Sequence, residues 1–229
     1  MNKLDRWAPN WLVIKINNMA YLRGCHVIQG RVIDLGCGTA PYKVDILEKA
    51  DEYIGVDWHG SLHDQGNVDV FADLSERLPF EDDYANTVVA FQVMEHLPEP
   101  AFFLSECHRI LRPGGALFLT VPFMWEVHEA PHDYYRFTRY GLEHLLKKTG
   151  FSQREIRETT GFWQTSFLKF NYHTTRWAGG LRRFFWAPIW FLGQLVAPLL
   201  DRLDGHPQET ASYSVIARKP GKGVVTGDS

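Results

Sequence analysis

The stretch VIDLGCGTAPYK, from Val32 to Lys43, joins a short apolar run to an acidic residue, two glycines and a helical pattern. Gly36 and Gly38 allow a tight turn in which a ligand can approach the backbone without meeting a Cβ atom. The backbone amides at the start of the following helix would point toward that ligand. The stretch therefore predicts a strand–turn–helix unit that binds a nucleotide or a nucleotide-like cofactor.

Two kinds of cofactor use such a turn, and the neighbouring residues distinguish between them. A dinucleotide fold has the pattern G-x-G-x-x-G, and the position of its third glycine is Pro41 in this chain. Asp34 stands two positions before the first glycine, where its charge would repel a pyrophosphate and attract a cation. S-adenosylmethionine, which carries a sulfonium and an α-amino group, therefore fits this turn better than NAD.

The sequence around the turn alternates short apolar runs with helical stretches. RVIDL, EYIGVD, VDVFAD, NTVVAFQ and ALFLTVPF are each bounded by Gly, Pro or Asp, as in strands that are buried on both faces of a parallel sheet. One of the helical stretches begins at Thr138, a typical N-cap residue, and stops at Gly150. This alternation predicts an α/β fold with an open twisted sheet.

The motifs resemble those of class I S-adenosylmethionine-dependent methyltransferases, and the resemblance extends through most of residues 30–152. DLGCGT resembles the glycine motif of that family, VVAFQVMEHL its active-site edge, and RILRPGGALFLTVP the turn into its fifth strand. The resemblance implies a Rossmann-like open twisted sheet of about seven mostly parallel strands with helices on both faces. It also implies that Asp57 binds the ribose hydroxyls and that Asp73 and Leu74 lie beside the adenine. The complete set of expected cofactor-binding residues is Asp34, Gly36, Cys37, Gly38, Asp57, Asp73, Leu74, Gln92, Val93 and His96.

A dense group of polar and aromatic residues follows the predicted fifth strand, in PFMWEVHEAPHDYYRFTRYGL. Methyl transfer to a hydroxyl is helped by a general base, and histidine titrates near neutrality. We therefore expect His132 to be the base and Asp133 to orient it, with Tyr135 as a further catalytic candidate. The expected substrate contacts are His128, Tyr134 and Arg136. The alternative, which has equal weight, is that HDYYRFT is a structural capping segment that leads into the helix at Thr138.

Composition argues against several other classes of protein and site. The formal net charge of −3 offers no basic footprint, so nucleic acid is not an expected partner. The three cysteines contain no CxxC pair, which argues against a disulfide framework or a structural zinc site, and no metal site is expected. Residues 3–23 lack a cleavage site and are expected to form an amphipathic helix, not a signal peptide.

The stretch FFWAPIWFLGQLVAPLL, from Phe184 to Leu200, carries no charge. It has fewer than the ~20 apolar residues that a membrane span needs, and Pro and Gly interrupt it. Flanking arginines and tryptophans favour the headgroup boundary, so we expect a pair of short helices that rest on the cytoplasmic leaflet. The expected membrane contacts are Trp177, Arg182, Arg183, Trp186 and Trp190. The alternatives are a substrate lid or a homodimer interface.

These observations predict four segments: an N-terminal helical segment (1–24), a methyltransferase domain (25–159 and 211–220), a hydrophobic helical insertion before the last strand (160–210) and a flexible tail (221–229). PHDYYRFT and GTAPY resemble a subgroup often associated with cell-surface glycan or lipid-linked sugar assembly. The expected function is O-methylation of a lipid-linked sugar, glycan or lipid by a cytoplasmic enzyme that is peripheral to the inner face of the membrane. Two alternatives are a non-catalytic scaffold of a membrane complex and a soluble small-molecule methyltransferase.

Overall fold

A computed structural model describes residues 5–60 and 65–221 of the chain. These residues form one seven-stranded sheet in the order β3-β2-β1-β4-β5-β7-β6. The first five strands are parallel to one another, and β7 is antiparallel to both β5 and β6. The predicted Rossmann-like, mostly parallel sheet is therefore confirmed. The strands are β1 (Gly30–Leu35), β2 (Ala50–Asp57), β3 (Val70–Phe71), β4 (Ala85–Phe91), β5 (Leu111–Pro122), β6 (Ser152–Glu158) and β7 (Ser212–Arg218).

Six α-helices accompany these strands within the described residues. They are α1 (Trp11–Gly24), α2 (Lys43–Leu47), α3 (Pro100–Ile110), α4 (Arg139–Lys148), α5 (Phe162–Thr175) and α6 (Arg183–Asp204). Thr138 caps α4 as expected, because its Oγ1 accepts a hydrogen bond from the Gly141 amide at 3.1 Å. The N-terminal helix begins at Trp11, later than the expected residue 3, and residues 1–4 lie outside the described part of the chain.

The sheet has an apolar core on each face, because successive residues of its strands point to opposite sides. Ile33 and Leu35 of β1 belong to the core that α3 and α4 cover. Val32, which directly precedes Ile33 in β1 and so points to the opposite side, belongs to the core that α1 and α2 cover. Two buried faces explain why these strands are continuous apolar runs in the sequence.

The order of the strands reverses between β1 and β4. β1 pairs with β2 on one side and with β4 on the other, and all three are parallel. In open α/β sheets, ligands bind beside the carboxyl ends of the strands at such a switch point. The ends of β1, β2, β4 and β5 are therefore the place to look for a site.

The insertion contains two long helices, α5 and α6. The expected pair of short helices over residues 184–200 is wrong, because α6 is one helix of 22 residues that contains both Pro188 and Pro198. A helix of this length is about 33 Å long. The packing of α6 against α5 requires glycine at position 193, since a Cβ atom there would lie 2.5 Å from Cδ1 of Phe167 on α5.

Trp190 was expected at the membrane and is instead part of the contact between α5 and α6. Its side chain is only 2% exposed. Its indole N–H donates a hydrogen bond to Oγ1 of Thr174 at 2.8 Å. Its position on the buried side of α6 could not be read from composition, which does not show which face of a helix packs against a neighbour.

The insertion also packs against the N-terminal segment, to which no contact was predicted. Oε1 of Gln194 accepts a hydrogen bond from the Leu12 amide at 3.2 Å, and its Nε2 donates to the Arg6 carbonyl at 3.1 Å. The rings of Trp7 and Phe191 stack with centroids 4.6 Å apart. The predicted segments 1–24 and 160–210 therefore contact one another directly. Of the predicted tail, residues 222–229 lie outside the described part of the chain.

One carboxylate joins the end of α6 to the beginning of α5. Oδ1 of Asp201 accepts a hydrogen bond from the Trp163 amide at 2.8 Å, and Oδ2 accepts one from the Gly161 amide at 2.9 Å. Asp201 thus caps α5 from a distant position in the sequence and satisfies amides that the helix itself leaves unpaired.

We expect Asp201→Ala to lower the free energy of unfolding by about 2 kcal/mol, because partly buried amides at the start of α5 lose their acceptor. Arg202→Ala is the matched control, since that neighbouring side chain is exposed. Chemical denaturation followed by circular dichroism measures both changes. Equal stability of the two variants would contradict the capping role of Asp201.

Candidate cofactor and active site

The glycine turn lies between the ends of β1, β2 and β4. Gly36 and Gly38 have φ angles of +71° and +50°, in the left-handed region that favours glycine. The Gly36 amide donates a hydrogen bond to the Val56 carbonyl of β2 at 2.8 Å. A Cβ atom on Gly36 would lie 2.5 Å from Cγ2 of Val93, just after β4. Backbone conformation and packing therefore both require glycine at position 36.

Asp57 ends β2 and holds the same turn from the other side. Its Oδ2 accepts a hydrogen bond from the Gly38 amide, and its Oδ1 accepts one from the Trp58 amide, both at 2.8 Å. A carboxylate oxygen has lone pairs for more than one donor. Asp57 can therefore support the turn and still accept hydrogen bonds from ribose hydroxyls, as the resemblance implies.

Asp34 is a buried carboxyl group at the end of β1. The Tyr53 hydroxyl, which sequence reasoning missed, donates a hydrogen bond to Oδ2 of Asp34 at 2.7 Å. Burial raises the pKa of Asp34 to about 7, the nearby charge of Asp57 adds to the rise, and the Tyr53 hydrogen bond opposes it. A cation bound beside Asp34 would favour its ionised form, so this group fits a positively charged cofactor.

The exit of β4 offers a second sign of a polar ligand. Gln92 has a φ angle of +57°, and its Nε2 is buried without a hydrogen-bond partner among the described residues. Buried amide donors are normally satisfied, so an acceptor on a ligand would complete this one. With Asp34, Asp57 and the two glycines, Gln92 makes the edge of the sheet chemically suited to S-adenosylmethionine.

Four other expected cofactor contacts are placed less directly. The side chains of Leu74 and Val93 pack into the main core. Asp73 is exposed, and its Oδ1 accepts a hydrogen bond from the Ser75 amide at 2.8 Å, so it stabilises a turn. Burial raises the pKa of Cys37 to about 12, which rules out a reactive thiolate.

The loop after β5 does not pair His132 with Asp133 as expected. Asp133 instead receives hydrogen bonds from both terminal nitrogens of Arg136, at 2.7 and 2.8 Å, and from the His128 amide at 2.7 Å. The Arg136 guanidinium lowers the pKa of Asp133 to about 2. Oδ2 of Asp133 also lies 3.4 Å from Nδ1 of His128. Because the loop folds back on itself, the carboxylate orients His128 and not its sequence neighbour.

Arg136 and Tyr135 have structural contacts that limit the roles predicted for them. Besides Asp133, the Arg136 guanidinium donates to the carbonyls of Trp125 and Glu126 and so holds the loop in shape. The Tyr135 hydroxyl donates to the Pro98 carbonyl at 2.8 Å. For these two residues the contacts favour the structural alternative over substrate binding or catalysis.

His132 and Tyr134 remain exposed at the edge of the site. The imidazole of His132 packs edge-on against the ring of Trp58, with centroids 5.7 Å apart. Trp58 directly follows Asp57, so this contact places His132 at the ribose end of the predicted cofactor site. The Tyr134 hydroxyl lies 3.5 Å from Nδ1 of His132. The role of His132 as the base stays a prediction, and Trp58 is a neighbour of it that sequence reasoning missed.

Glu95 is a second residue that sequence reasoning missed. It lies in a short 3-10 helix (Met94–His96) after β4, and its side chain is fully buried. Neither carboxylate oxygen has a hydrogen-bond partner among the described residues. Burial raises the pKa of Glu95 to about 8. Ligand atoms of Glu95, His96 and His128 lie within 4.8 Å of one another, so this group could hold a metal ion.

Comparison with known proteins shows that the chain is similar to methyltransferases. Residues 33–119 match a family described as "Methyltransferase domain". A probable S-adenosylmethionine-dependent methyltransferase of Mycolicibacterium smegmatis is 36% identical over 113 residues, covering 46% of this chain and 44% of that protein. A ubiquinone biosynthesis O-methyltransferase of Burkholderia thailandensis is 28% identical over 187 residues, covering 67% of this chain and 81% of that protein.

A solved structure supports the fold. The crystal structure of a SAM-dependent methyltransferase from Archaeoglobus fulgidus matches with a TM-score of 0.58 and 18% identity, covering 91% of this chain and 92% of that one. At this identity the likeness concerns the fold alone. The sequence matches and the site geometry together identify S-adenosylmethionine as the cofactor.

We expect the affinity for S-adenosylmethionine to increase as pH rises from about 5.5 to about 7.5, by up to about tenfold per pH unit below the pKa of Asp34. The carboxyl group, protonated below about pH 7, must lose its proton when a cation binds beside it. Isothermal titration calorimetry measures this dependence. Asp34→Asn, which cannot ionise, should bind more weakly at the upper pH and show a flatter profile. A flat profile for the unmodified protein would show that Asp34 does not face the cation.

Proposed function

We propose that this chain, which belongs to the class I S-adenosylmethionine-dependent methyltransferases, methylates an oxygen atom of a lipid-linked sugar, glycan or lipid at the cytoplasmic face of a membrane. The observation that carries the membrane part is the outer side of α6. Large apolar side chains along this side are exposed, namely Phe184, Phe185, Leu192, Leu195, Leu199 and Leu203. An apolar stripe of this length on one helix is typical of an interaction surface and not of a solvated one.

Charge and aromatic residues at the start of α6 favour a membrane as the partner. Arg176, Arg182 and Arg183 are exposed, and anionic headgroups attract such residues. The rings of Trp177 and Trp186 lie 6.0 Å apart beside them, and tryptophan prefers the headgroup level. Basic and aromatic residues thus surround one end of the apolar stripe.

α6 is more consistent with a helix that lies on the bilayer than with one that crosses it. By length and composition alone, residues Gly180–Asp204 could span a membrane. One side of α6, however, packs on α5, and Gln194 on that side bonds to backbone atoms of Leu12 and Arg6. These polar contacts tie α6 to the rest of the domain.

A cavity of about 280 Å³ lies between the loop after β5 and α5. Its walls are Trp125, Glu126, Lys169, Phe170, Tyr172 and His173. On the outer side, the rings of Phe170 and Trp186 are in edge contact, with centroids 6.2 Å apart, next to the apolar stripe. On the inner side, the carbonyl of Trp125 accepts a hydrogen bond from Arg136, which organises the active-site loop. The cavity therefore suits an acceptor whose apolar part lies at the membrane and whose polar part reaches the site.

Aromatic walls and mixed charge fit a sugar or a headgroup. Aromatic faces offer apolar contact surface, whereas Lys169, His173 and Glu126 offer hydrogen bonds and charge. The Burkholderia relative is named an O-methyltransferase, which supports oxygen as the acceptor atom here.

S-adenosylmethionine supplies a methyl group that is already activated for displacement, so the residues of this chain mainly have to position the acceptor. An acceptor hydroxyl has to lose its proton as its oxygen forms the bond to carbon. In this proposal an imidazole nitrogen of His132 takes that proton at the ribose end of the site. Trp58 keeps the imidazole in place.

We expect the triple variant Phe184→Ser, Leu192→Ser, Leu199→Ser to bind anionic liposomes at least about 30-fold more weakly than the unmodified protein. Each change removes a large exposed apolar side chain, and burial of one such side chain in lipid contributes about 1.5–3 kcal/mol. Co-sedimentation with vesicles of known phosphatidylglycerol content measures the partition. These point changes are preferable to deletion of residues 165–205, which would remove Leu168 and expose Leu12, its partner in the core between α1 and α5.

The matched control carries Val44→Ser, Leu47→Ser and Tyr140→Ser, equally exposed apolar residues on α2 and α4. It should bind liposomes as the unmodified protein does. If the unmodified protein stays in the supernatant and forms a concentration-dependent dimer in detergent-free buffer, the outer side of α6 is a dimer interface. A supernatant monomer would favour a lid over the acceptor cavity.

Methyl transfer is tested by incubating the protein with methyl-labelled cofactor and a cell-envelope lipid extract. We expect a labelled species that co-extracts with lipid, and a rate about 100-fold lower for His132→Ala with unchanged cofactor affinity. Cofactor binding without any labelled product would favour the scaffold alternative. Label in water-soluble molecules alone would favour a soluble small-molecule methyltransferase.

A further inference from the structure

We propose that Glu95, His96 and His128 form a binding site for a divalent transition-metal ion beside the cofactor site. Their ligand atoms lie within 4.8 Å of one another, and no cation was expected here from the sequence. The inference goes beyond the proposed function, because metal binding at these residues does not depend on the nature of the acceptor.

The buried carboxylate is the first support. Glu95 has no exposed side-chain surface, and both of its oxygens lack hydrogen-bond partners among the described residues. A buried carboxylate without donors is costly, and proteins normally pair it or use it as a metal ligand. Its Oε1 lies 3.7 Å from Nε2 of His96, so it points into the cluster.

The contacts of the two imidazoles are the second support. Nδ1 of His96 lies 2.7 Å from the His132 carbonyl, an acceptor that places the proton on Nδ1. The lone pair is then on Nε2, which faces Glu95 at 3.7 Å and Glu129 at 3.8 Å. Metal-binding histidines in proteins are oriented in this way, with a carbonyl or carboxylate on the nitrogen that does not bind the metal.

His128 shows the same arrangement through a carboxylate. Its Nδ1 lies 3.4 Å from Oδ2 of Asp133 and 3.3 Å from the Glu126 carbonyl, two acceptors that favour a proton there. Nη2 of Arg136 also lies 3.4 Å from this nitrogen, but the salt bridge with the ionised Asp133 balances the charge of Arg136. The imidazoles of His96 and His128 are in edge contact, with centroids 4.9 Å apart. Nε2 of His128 is therefore the nitrogen that would bind a metal.

The donor set indicates which ion would bind. Two imidazole nitrogens and one carboxylate favour ions such as Zn²⁺, Fe²⁺ or Co²⁺, whereas Mg²⁺ and Ca²⁺ prefer oxygen ligands alone. Three protein ligands leave at least one position open for another molecule. An ion here would neutralise Glu95 and could hold an oxygen of the acceptor near His132.

The test uses the full-length protein and Co²⁺ alone as the probe, without cofactor or acceptor. We expect one Co²⁺ per chain, with visible ligand-field absorption of a nitrogen- and oxygen-bound ion, and displacement by Zn²⁺ but not by excess Mg²⁺. Glu95→Gln and His128→Ala should each weaken binding at least about tenfold. Asp133→Asn should weaken it by about tenfold or more through loss of the acceptor on His128.

His144→Ala is the matched control, because His144 is an exposed histidine on α4 away from the cluster. It should bind Co²⁺ as the unmodified protein does, and thermal melting checks that every variant is folded. Absence of stoichiometric Co²⁺ binding would overturn the proposal, as would binding that survives both Glu95→Gln and His128→Ala. Because neither cofactor nor acceptor is present, this result is independent of whether the protein transfers methyl groups.

Discussion

The missing side chain at Gly36 is the constraint on which the site depends. Only a residue without Cβ allows the chain to leave β1 in the left-handed region while Val93 packs against it from the end of β4. The same turn donates backbone hydrogen bonds to Val56 and to Asp57 of β2. Three strand ends are thus held together at one point, and Asp34, Asp57 and Gln92 can face a common ligand because that point is rigid.

Much of the sheet and of the cofactor edge could be predicted from the sequence, because both are encoded locally. Buried parallel strands appear as continuous apolar runs, and the two glycines, Asp34 and Asp57 have fixed spacings relative to those runs. Tyr53 and Glu95 escaped prediction for the opposite reason. A tyrosine within a strand and a glutamate after one look ordinary until the fold brings the first against Asp34 and buries the second.

The loop after β5 and the insertion show where local reasoning fails. The sequence predicts a pair between the adjacent residues His132 and Asp133, but the loop folds back and brings Asp133 to His128 and Arg136. Pro188 and Pro198 predict breaks in the helix, but α6 packs against α5 and is continuous through both. In both places the outcome depends on contacts between residues that are distant in sequence or that belong to different elements.

The position of β7 has a consequence for how the molecule is made. β7 lies between β5 and β6, so β6 hydrogen-bonds to no other strand of the described sheet. During synthesis on the ribosome, β6 and the apolar insertion are made before residues 212–218. The growing chain therefore contains an unpaired strand and an apolar helix pair until β7 is synthesised. In that interval a chaperone or a nearby lipid surface can bind the nascent protein most readily.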